Sequence, residues 1–343
     1  PSGSSGDIDW SVGVNSAEIT TLTHGGYYDN FGFWFADINN PGTAASLIKA
    51  KTTGVFASVD YSINDQMSVT AEVRRQDDEI DEPKINLTAP GLSPGTFKAT
   101  LPRISFKNQL SNNAMAYLTY SEGNLPGGFN PEVATKLRNA GQIAEFQAQN
   151  PGIFENYGEE SLKNYELGYK KTALDGRLAY NIALFSMERT DQVYSGFGQI
   201  TADGICNAGS EDVVVCTVNF SGNGQSSDIN GFELDGTYLV SENLEIKTSL
   251  AYVDATISQF PDGAGCGDIQ AVFGDCSRVK GSIAPRYPEW QGSLIANYET
   301  DSNLYIRGEL FYNDGYYDEA TNLAEIPSGT EINLRVGKRM ENM

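Results

Sequence analysis

The residues best suited to covalent chemistry are the four cysteines, which form two evenly spaced pairs. Nine residues separate Cys206 from Cys216 and nine separate Cys266 from Cys276, each pair within a stretch rich in glycine, aspartate and asparagine. Two loop-stapling disulfides are the simplest interpretation, and they suit an oxidising compartment such as a periplasm or cell surface. A zinc site is the weaker alternative, because the spacing is wider than a C-x-x-C knuckle and the only histidine, His24, is far away in sequence.

Acid–base and nucleophilic chemistry finds little support elsewhere in the chain. Catalysis of that kind usually pairs a histidine with a serine or an aspartate, and one isolated histidine is more simply a solvated loop residue. The acidic run from Asp77 to Glu82 could hold calcium, or meet lipopolysaccharide through divalent cations, but it lacks a fixed ligand spacing and is better explained as a solvated loop. We therefore predict no catalytic residue, no metal site and no cofactor, and we do not expect an enzyme.

Composition excludes two broad classes of protein. The net charge of -22 argues against a nucleic-acid partner, since phosphate binding needs a surface of lysine and arginine. No apolar run approaches the roughly 18 residues of a membrane helix. The mean hydropathy of -0.35 does not decide between a soluble protein and a transmembrane barrel, because half of each barrel strand faces a polar lumen.

Apolar and polar residues alternate along many segments, which is typical of a strand with two different faces. From Leu244 to Tyr252 the apolar side chains fall on one face, with Glu245, Lys247 and Ser249 on the other. The same pattern recurs through the chain, for example from Leu304 to Leu310. Charges on the second face predict a wet interior.

Short turns and long connections also alternate along the chain. The predicted turns are Ile63 to Asp65, Ser111 to Asn113, Leu174 to Gly176, Ser241 to Asn243 and Asp301 to Asn303. The long connections are about Asp77 to Thr96, Glu122 to Ser161, Ser195 to Gln225, Phe260 to Pro285 and Asp314 to Gly329. Outer-membrane barrels have short periplasmic turns and long external loops, whereas a soluble β-sandwich has no reason to segregate loops by length.

These patterns predict an all-β fold, an antiparallel up-and-down transmembrane β-barrel with long extracellular loops. Roughly a dozen strands of a larger barrel can be placed from Trp10 onward. Helical spacing of Val133, Leu137, Ala140 and Ala144 predicts a short helix that folds over the barrel mouth. Tyrosines near strand ends suit interfacial girdles, although ordinary β-propensity explains them equally well: they are Tyr117, Tyr120, Tyr169, Tyr238, Tyr252, Tyr298 and Tyr312.

Two segments carry a resemblance to a known family. The stretch from Tyr117 to Asn130 is similar to the Y-x-x-Y-S-x-G-x-x-P-G-G-F-N segment of TonB-dependent receptors, and Glu160 to Lys170 resembles their E-x-x-x-x-Y-E-L-G-x-K strand. The matching residues are Tyr120, Ser121, Gly123, Pro126, Gly127, Gly128, Phe129 and Asn130 in the first segment and Tyr165, Glu166, Gly168 and Lys170 in the second. We expect these residues to be architectural, with Gly127 and Gly128 allowing a sharp turn. The resemblance covers about Thr52 to Lys338.

The resemblance implies an outer-membrane receptor with about 22 strands and a plugged lumen, energised by a TonB-type coupling protein. We expect residues 1–343 to be the barrel domain of a longer receptor, truncated at both ends, with the plug absent and with the coupling protein acting through the missing N-terminal region. Lipid and lipopolysaccharide would surround it in the bacterial outer membrane. The alternatives are a passive porin-like channel and a secreted all-β adhesin.

The substrate implied by the resemblance is a scarce nutrient, most simply a ferric siderophore or similar metal chelate. The loops carry an excess of acid, at Asp77 to Glu82 and around Glu211-Asp212, so a neutral or cationic chelate is favoured over a strongly anionic one. Five aromatic loop residues are candidates for ligand contact, although packing between loops would explain them as well: Tyr27, Tyr28, Phe197, Tyr316 and Tyr317.

Overall fold

A computed structural model describes residues 1–24, 26–28, 34–36, 45–85, 89–90, 95–130, 133–134, 142–202, 214–260 and 276–338. Within these ranges, side chains are described except at 22–47, 82–90, 197, 199–202, 214–217 and 276–277.

The first half of the chain contains the strands β1 Ser2–Ser5, β2 Ile8–His24, β3 Gly26–Tyr28, β4 Trp34–Ala36, β5 Ala45–Asn64, β6 Met67–Ile85, β7 Ala89–Pro90, β8 Gly95–Ser111, β9 Ala114–Leu125 and β10 Gly128–Phe129. Helix α1 spans Ile143–Gln149. The second half contains β11 Asn156–Tyr157, β12 Glu160–Ala173, β13 Leu178–Ala202, β14 Val214–Leu239, β15 Leu244–Gln259, β16 Trp290–Glu299, β17 Leu304–Asn313, β18 Tyr316–Tyr317, β19 Glu325–Ile326 and β20 Gly329–Lys338. A 3-10 helix spans Cys276–Val279.

The long strands form one antiparallel sheet in which each pairs with the next along the chain. The sheet has 14 strands in the order β1-β2-β5-β6-β8-β9-β12-β13-β14-β15-β16-β17-β20, with β7 added beside β6. Within the described residues β1 and β20 are the two edges and do not pair with each other. The predicted up-and-down barrel wall of about a dozen strands is therefore confirmed, with β1 as a strand that the sequence pattern missed.

Short turns close one end of the sheet, as predicted. Between β5 and β6, the side chain of Asn64 accepts hydrogen bonds from the backbone N–H groups of Gln66 and Met67, at 2.8 and 2.9 Å. Between β12 and β13, Leu174, Asp175 and Gly176 all have positive φ, of 52, 54 and 87°. Such left-handed turns match the right-handed twist of the strands they join. All long connections lie at the other end.

The two faces of the sheet differ in polarity because the strands are aligned in register. One row of outward side chains crosses six neighbouring strands, and its members are Leu118, Leu167, Leu184, Phe232, Tyr252 and Trp290. Leu118, Leu167 and Leu184 are each 52% exposed, which is unusual for leucine in a soluble protein. We call this apolar surface the outer face and the opposite surface the inner face.

A row of charges bounds the apolar band on the side of the long loops. Glu122, Lys163, Glu188 and Asp228 lie side by side on the outer face, with Lys163 Nζ 3.7 Å from Glu188 Oε2. An outward band of apolar side chains that ends at such a row is typical of a barrel wall in lipid. This row therefore marks where the wall leaves the hydrocarbon.

Aromatic rings line the outer face near this boundary. The rings of Tyr120 and Tyr165 lie 4.9 Å apart, and those of Tyr252 and Trp290 lie 4.8 Å apart, measured between centroids. Tyr117 is different: it lies three residues before Tyr120 and so faces inward. The girdle interpretation was wrong for Tyr117, because side chains an odd number of residues apart project from opposite faces of a strand.

The wall varies greatly in height. Strands β16, β17 and β20 have 10 residues each, close to the 9–11 that a tilted strand needs to cross a bilayer. Strands β13 and β14 have 25 and 26, a length of roughly 80 Å at about 3.3 Å per residue. Their hairpin therefore projects far beyond the membrane on the loop side.

The described helices are all short. None of them is long and apolar enough to cross a membrane. The helix predicted in the loop after β9 is present as α1, which begins later in the chain than the spacing of Val133, Leu137 and Ala140 indicates. Val133 and Ala134 have helical backbone, and residues 135–141 lie outside the described ranges.

Candidate functional site

The inner face at membrane depth carries hydrogen-bonded polar groups. Thr70 Oγ1 donates to Asp60 Oδ2 at 2.9 Å, and Ser105 Oγ lies 2.6 Å from Thr119 Oγ1. Farther along the sheet, Arg307 Nη2 lies 2.6 Å from Glu309 Oε1. Because these groups come from alternate residues of strands whose other face is apolar, they form a polar wall along the lumen.

The two motifs found in the sequence are neighbours in space. Strands β9 and β12 pair directly, so that Tyr120 lies opposite Tyr165 on the outer face and Tyr117 lies opposite Gly168 on the inner face. The spacing of about 45 residues between the motifs is thus the length of one external loop plus the two half-strands beside it. Ser121 and Gly123, on the inner face of β9, lie opposite Asn164 and Leu162 of β12.

Gly168 provides space for an aromatic side chain. A Cβ at Gly168 would lie 2.1 Å from the Tyr117 ring. The Tyr117 hydroxyl donates to Glu166 Oε1 at 2.6 Å, and the ammonium group of Lys170 lies 5.6 Å from the centre of its ring. The glutamate, glycine and lysine of the E-L-G-x-K pattern therefore form the binding site of one lumen-facing tyrosine side chain.

The P-G-G-F-N segment is fixed by contact and not by an unusual backbone. Neither Gly127 nor Gly128 has positive φ, so a left-handed backbone is not the reason for glycine at these positions. A Cβ on Gly127 would lie 2.2 Å from the carbonyl oxygen of Tyr157, and one on Gly128 would lie 2.3 Å from the Tyr157 hydroxyl. Pro126 stands between the end of β9 and β10, and Phe129 packs against Ala134.

Asn130 ties the end of this motif to β14. It is 2% exposed, and its amide nitrogen donates to the carbonyl oxygens of Phe154 and Ser221 at 2.8 and 2.7 Å. Its amide oxygen accepts from the backbone N–H of Ser221 at 2.6 Å. A buried amide that satisfies three backbone partners explains why asparagine ends the motif.

The loop between β9 and β12 folds onto the inner side of the projecting hairpin. Phe146 of α1 and Ile153 are buried against Val218 and Phe220 of β14, with Tyr194 of β13 packed beside them. These hairpin residues are on the inner face, because Gln192, on the same side of β13 as Tyr194, bonds to the inward Ser227. This position on the inner side of the hairpin agrees with the expectation that the loop folds over the barrel mouth.

A second group of loops packs on the inner face of β14 and β15. Val279 and Ala284 are buried against Ile229, Ala255 and Ile257. The hydrophobic contacts continue through partly buried neighbours, among them Phe260 and Tyr287. The mouth is thus lined by two loop clusters that lean inward over the polar wall.

The loop between β17 and β20 is joined to this second cluster. The amide of Asn322 exchanges two hydrogen bonds of 2.9 Å with the backbone of Ile283, and Arg286 Nε lies 3.0 Å from Asp318 Oδ1. Glu319, outside the membrane-spanning strands, organises the loop tip. Partial burial would raise its pKa, but hydrogen bonds from the Thr321 side chain and from the backbone N–H groups of Ala324, Leu323 and Thr321 hold the pKa below its ordinary value.

A family comparison decides what this wall belongs to. The model for the TonB-dependent receptor-like β-barrel matches residues 2–342. The chain belongs to this family. The family consists of outer-membrane receptors and not of enzymes, so the predicted localisation and the expectation of a receptor are both confirmed.

Solved structures show the same fold at low sequence identity. The ferric yersiniabactin uptake receptor FyuA from Yersinia pestis is 12% identical with a TM-score of 0.65, and it matches 98% of this chain and 44% of its own length. The siderophore receptor PiuA from Acinetobacter baumannii is 15% identical with a TM-score of 0.66, and the match covers 99% of this chain and 48% of PiuA. The copper transporter OprC is 12% identical with a TM-score of 0.63, and the match covers 98% of this chain and 48% of OprC. The chain spans less than half the length of these structures.

The predicted ligand contacts of this TonB-dependent receptor barrel remain predictions. Tyr316 and Tyr317 form β18, are half-buried and pair with Ile326 and Glu325. Tyr27 and Tyr28 lie in β3 and Phe197 lies in β13, but their side chains are outside the described set. The structure does not bring these two groups of aromatic residues into a described contact.

The cysteine pairs also fall outside what the structure describes. Cys206 and Cys266 lie in stretches beyond the described ranges, whereas Cys216 lies in β14 and Cys276 begins the 3-10 helix, each without a described side chain. Both disulfides stay predictions.

The structure adds candidates that sequence reasoning missed. Arg189 forms an ion pair with Glu160 at the base of the mouth, and Tyr287 is close enough to Arg189 to interact with its charge. Glu160 had a sequence signal as the first residue of the second motif. The others come from separate loops and strands, so no local pattern marks them.

Proposed function

We propose that this barrel is part of a receptor that imports a metal chelate, most simply a ferric siderophore, across the outer membrane with energy from a TonB-type protein. The observation that carries the proposal is the inward packing of two loop clusters over a polar lumen wall. Such a mouth offers a concave, partly aromatic surface to a ligand arriving from outside. The coupling protein would act through a region outside residues 1–343.

The names of the similar structures agree with this class of substrate. FyuA and PiuA are described as receptors for ferric yersiniabactin and for a siderophore, and OprC as a copper transporter. A chelated or bound metal is common to all three. Because the identities are 12–15%, they support the class of cargo and not a particular ligand.

The charge of the mouth favours a neutral or cationic chelate. Residues 126–160 contain five glutamates against one lysine and one arginine, and residues 314–329 contain four carboxylates and no lysine or arginine. The basic residues of 277–289 offset this only in part, since Arg286 is paired with Asp318. A strongly anionic complex would be repelled during its approach.

A passive porin-like channel is the second candidate, because a polar inner wall also suits an open pore. The two candidates differ in ligand binding. A porin has no saturable site for a metal chelate, whereas a receptor does.

Binding to the full gene product in detergent tests the proposal. We expect saturable binding of a ferric trihydroxamate that is at least tenfold tighter than that of a ferric tris-catecholate, a difference of about 1.4 kcal/mol. Isothermal titration calorimetry at low and physiological salt measures both. The variant Glu159→Lys, at the mouth, should narrow the difference, and Glu242→Lys, in the turn between β14 and β15, should not. Tighter catecholate binding would overturn the charge argument, and no binding of either chelate would favour the porin.

A further inference from the structure

An ion pair with a buried carboxylate lies where the wall leaves the membrane on the loop side. Glu160 is the first residue of β12, its side chain is 8% exposed, and its Oε1 accepts from Nε of Arg189 on β13. Its second oxygen, Oε2, accepts from the backbone N–H of Val193 at 3.1 Å. Both oxygens of one carboxylate are therefore used to hold the neighbouring strand.

The ion pair sits at an irregularity in β13. The pairing of β13 with β14 shifts register between Arg189 and Gln192 and again between Gln192 and Tyr194, and Asp191 has a φ of 53°. A β-bulge removes backbone groups from the ladder, and a buried N–H that is left without an acceptor costs about 1–3 kcal/mol. Glu160 supplies the acceptor for Val193.

Further polar contacts extend the ion pair on both sides. With its nitrogen turned to donate to Ser227 Oγ at 2.6 Å, the Gln192 amide presents its oxygen to Arg189 Nη1 at 2.9 Å. Gln192 is 6% exposed and Ser227 is fully buried. The Tyr287 side chain, which comes from the loop between β15 and β16, is close enough to Arg189 to interact with its charge. Strands β12 and β13 and one loop thus meet at this guanidinium group.

A second polar tie joins the loop after β9 to the same bulge. The Asn223 amide nitrogen donates to the carbonyl oxygens of Asp191 at 2.8 Å and of Gly158 at 3.1 Å. Its amide oxygen accepts from the backbone N–H of Gly158. Gly158 lies two residues before Glu160, so the end of this loop is held through both its backbone and a side chain.

The loop between β9 and β12 also makes close apolar contacts with the hairpin. A Cβ on Gly198 of β13 would lie 2.6 Å from the Phe146 ring, and Phe146 itself is fully buried. Asn130, at the other end of the loop, bonds to Ser221 of β14. The loop is therefore held at its start, at its helix and at its end.

We propose that Glu160 is a positioning residue that fixes the loop between β9 and β12 against the inner side of the β13–β14 hairpin as an immobile wall of the mouth. The inference rests on the proposed function in one respect, namely that ligand enters through this mouth. The docking itself requires no ligand. Three kinds of contact together keep the loop in one position. They are the Glu160–Arg189 ion pair, the hydrogen bond that Glu160 accepts from the bulge, and the hydrogen bonds of Asn130 and Asn223.

Hydrogen exchange followed by mass spectrometry on the full gene product in detergent tests the docking. In the wild type, peptides covering 142–160 and 189–196 should be protected. Glu160→Ala should speed exchange in both by about tenfold or more, because it removes the ion pair and the Val193 acceptor. Glu160→Gln should rescue part of the protection in 189–196, since its amide oxygen can still accept from Val193. Glu159→Gln, the adjacent half-buried glutamate, is the matched control and should change neither peptide.

A second variant guards against a general loss of folding. Asn223→Ala leaves the ion pair in place and should raise exchange in 142–160 more than in 189–196. Exchange of 142–160 at the rate of an unstructured peptide in the wild type would overturn the proposal, as would Glu160→Ala without effect on either peptide. Since the assay contains no ligand, a negative chelate-binding result would leave this inference standing, and failure here would leave the receptor function standing.

Discussion

Replacement of Leu294 by arginine is expected to destabilise the membrane-inserted barrel by roughly 2–4 kcal/mol, the cost of a charged side chain on the lipid face at the bilayer midplane. Leu294 is 46% exposed on the outer face and lies midway along β16, between Trp290 and Tyr298. An arginine there would have hydrocarbon around its guanidinium group. Its neighbours across the sheet, Thr248 and Leu310, offer no charge to pair with it.

The matched control is Ser293→Arg, one residue earlier on the same strand. Ser293 faces inward into a cavity of about 570 Å³ that also contains Glu331. An arginine at this position can remain hydrated or approach a carboxylate, so we expect a change within about 0.5 kcal/mol. Urea titration of the gene product folded into lipid vesicles, followed by the shift in gel mobility between folded and unfolded forms, measures both variants. Equal destabilisation by the two substitutions would contradict the assignment of the faces.

Replacement of Gly168 by alanine is also expected to lower the stability of the folded barrel substantially. The added Cβ would lie 2.1 Å from the Tyr117 ring, so the ring or the strand must move. Overpacking of this kind costs about 1–3 kcal/mol. The displaced ring would also weaken the 2.6 Å bond from the Tyr117 hydroxyl to Glu166, which adds to the loss.

Two further variants make this prediction specific. Gly123→Ala on the inner face of β9 has no atom within 4 Å of the new Cβ, so it should be close to neutral. In a Tyr117→Ala background the ring is absent, and Gly168→Ala should then cost less than about 0.5 kcal/mol, as expected for a substitution that meets no packed neighbour. Urea titration supplies all the values of the double-mutant cycle. An undiminished cost in the Tyr117→Ala background would show that Gly168 is needed for another reason.

Local patterns were sufficient to predict most of the barrel wall, apart from β1 and the outer parts of β13 and β14, which were predicted as a loop. Period-two alternation fixed the strands, and residues with left-handed preference, such as Gly176, fixed the turns. Both signals act over a few residues, so the sequence displays them directly. Membership of one family followed from two motifs that prove to be paired strands, with Tyr120 opposite Tyr165.

Contacts between distant segments could not be predicted in the same way. The tyrosine pattern gave Tyr117 the wrong face, although counting residues from Tyr120 would have corrected it. The reason for Gly127 and Gly128 lies in Tyr157, nearly 30 residues later. The Glu160–Arg189 pair depends on a bulge that no local residue preference signals. The mouth of the receptor is built from such contacts, which is why the candidate ligand residues were the least predictable part.

Uptake by living cells tests the central proposal most directly. The gene product would be expressed in bacteria that lack their own receptors, with or without the TonB-type coupling protein, and accumulation of radioactive iron from a ferric trihydroxamate would be measured. We predict accumulation that requires both the gene product and the coupling protein and is abolished when the proton gradient is collapsed. Accumulation that is independent of the coupling protein, and that extends to unrelated small solutes, would contradict the account and identify a passive channel.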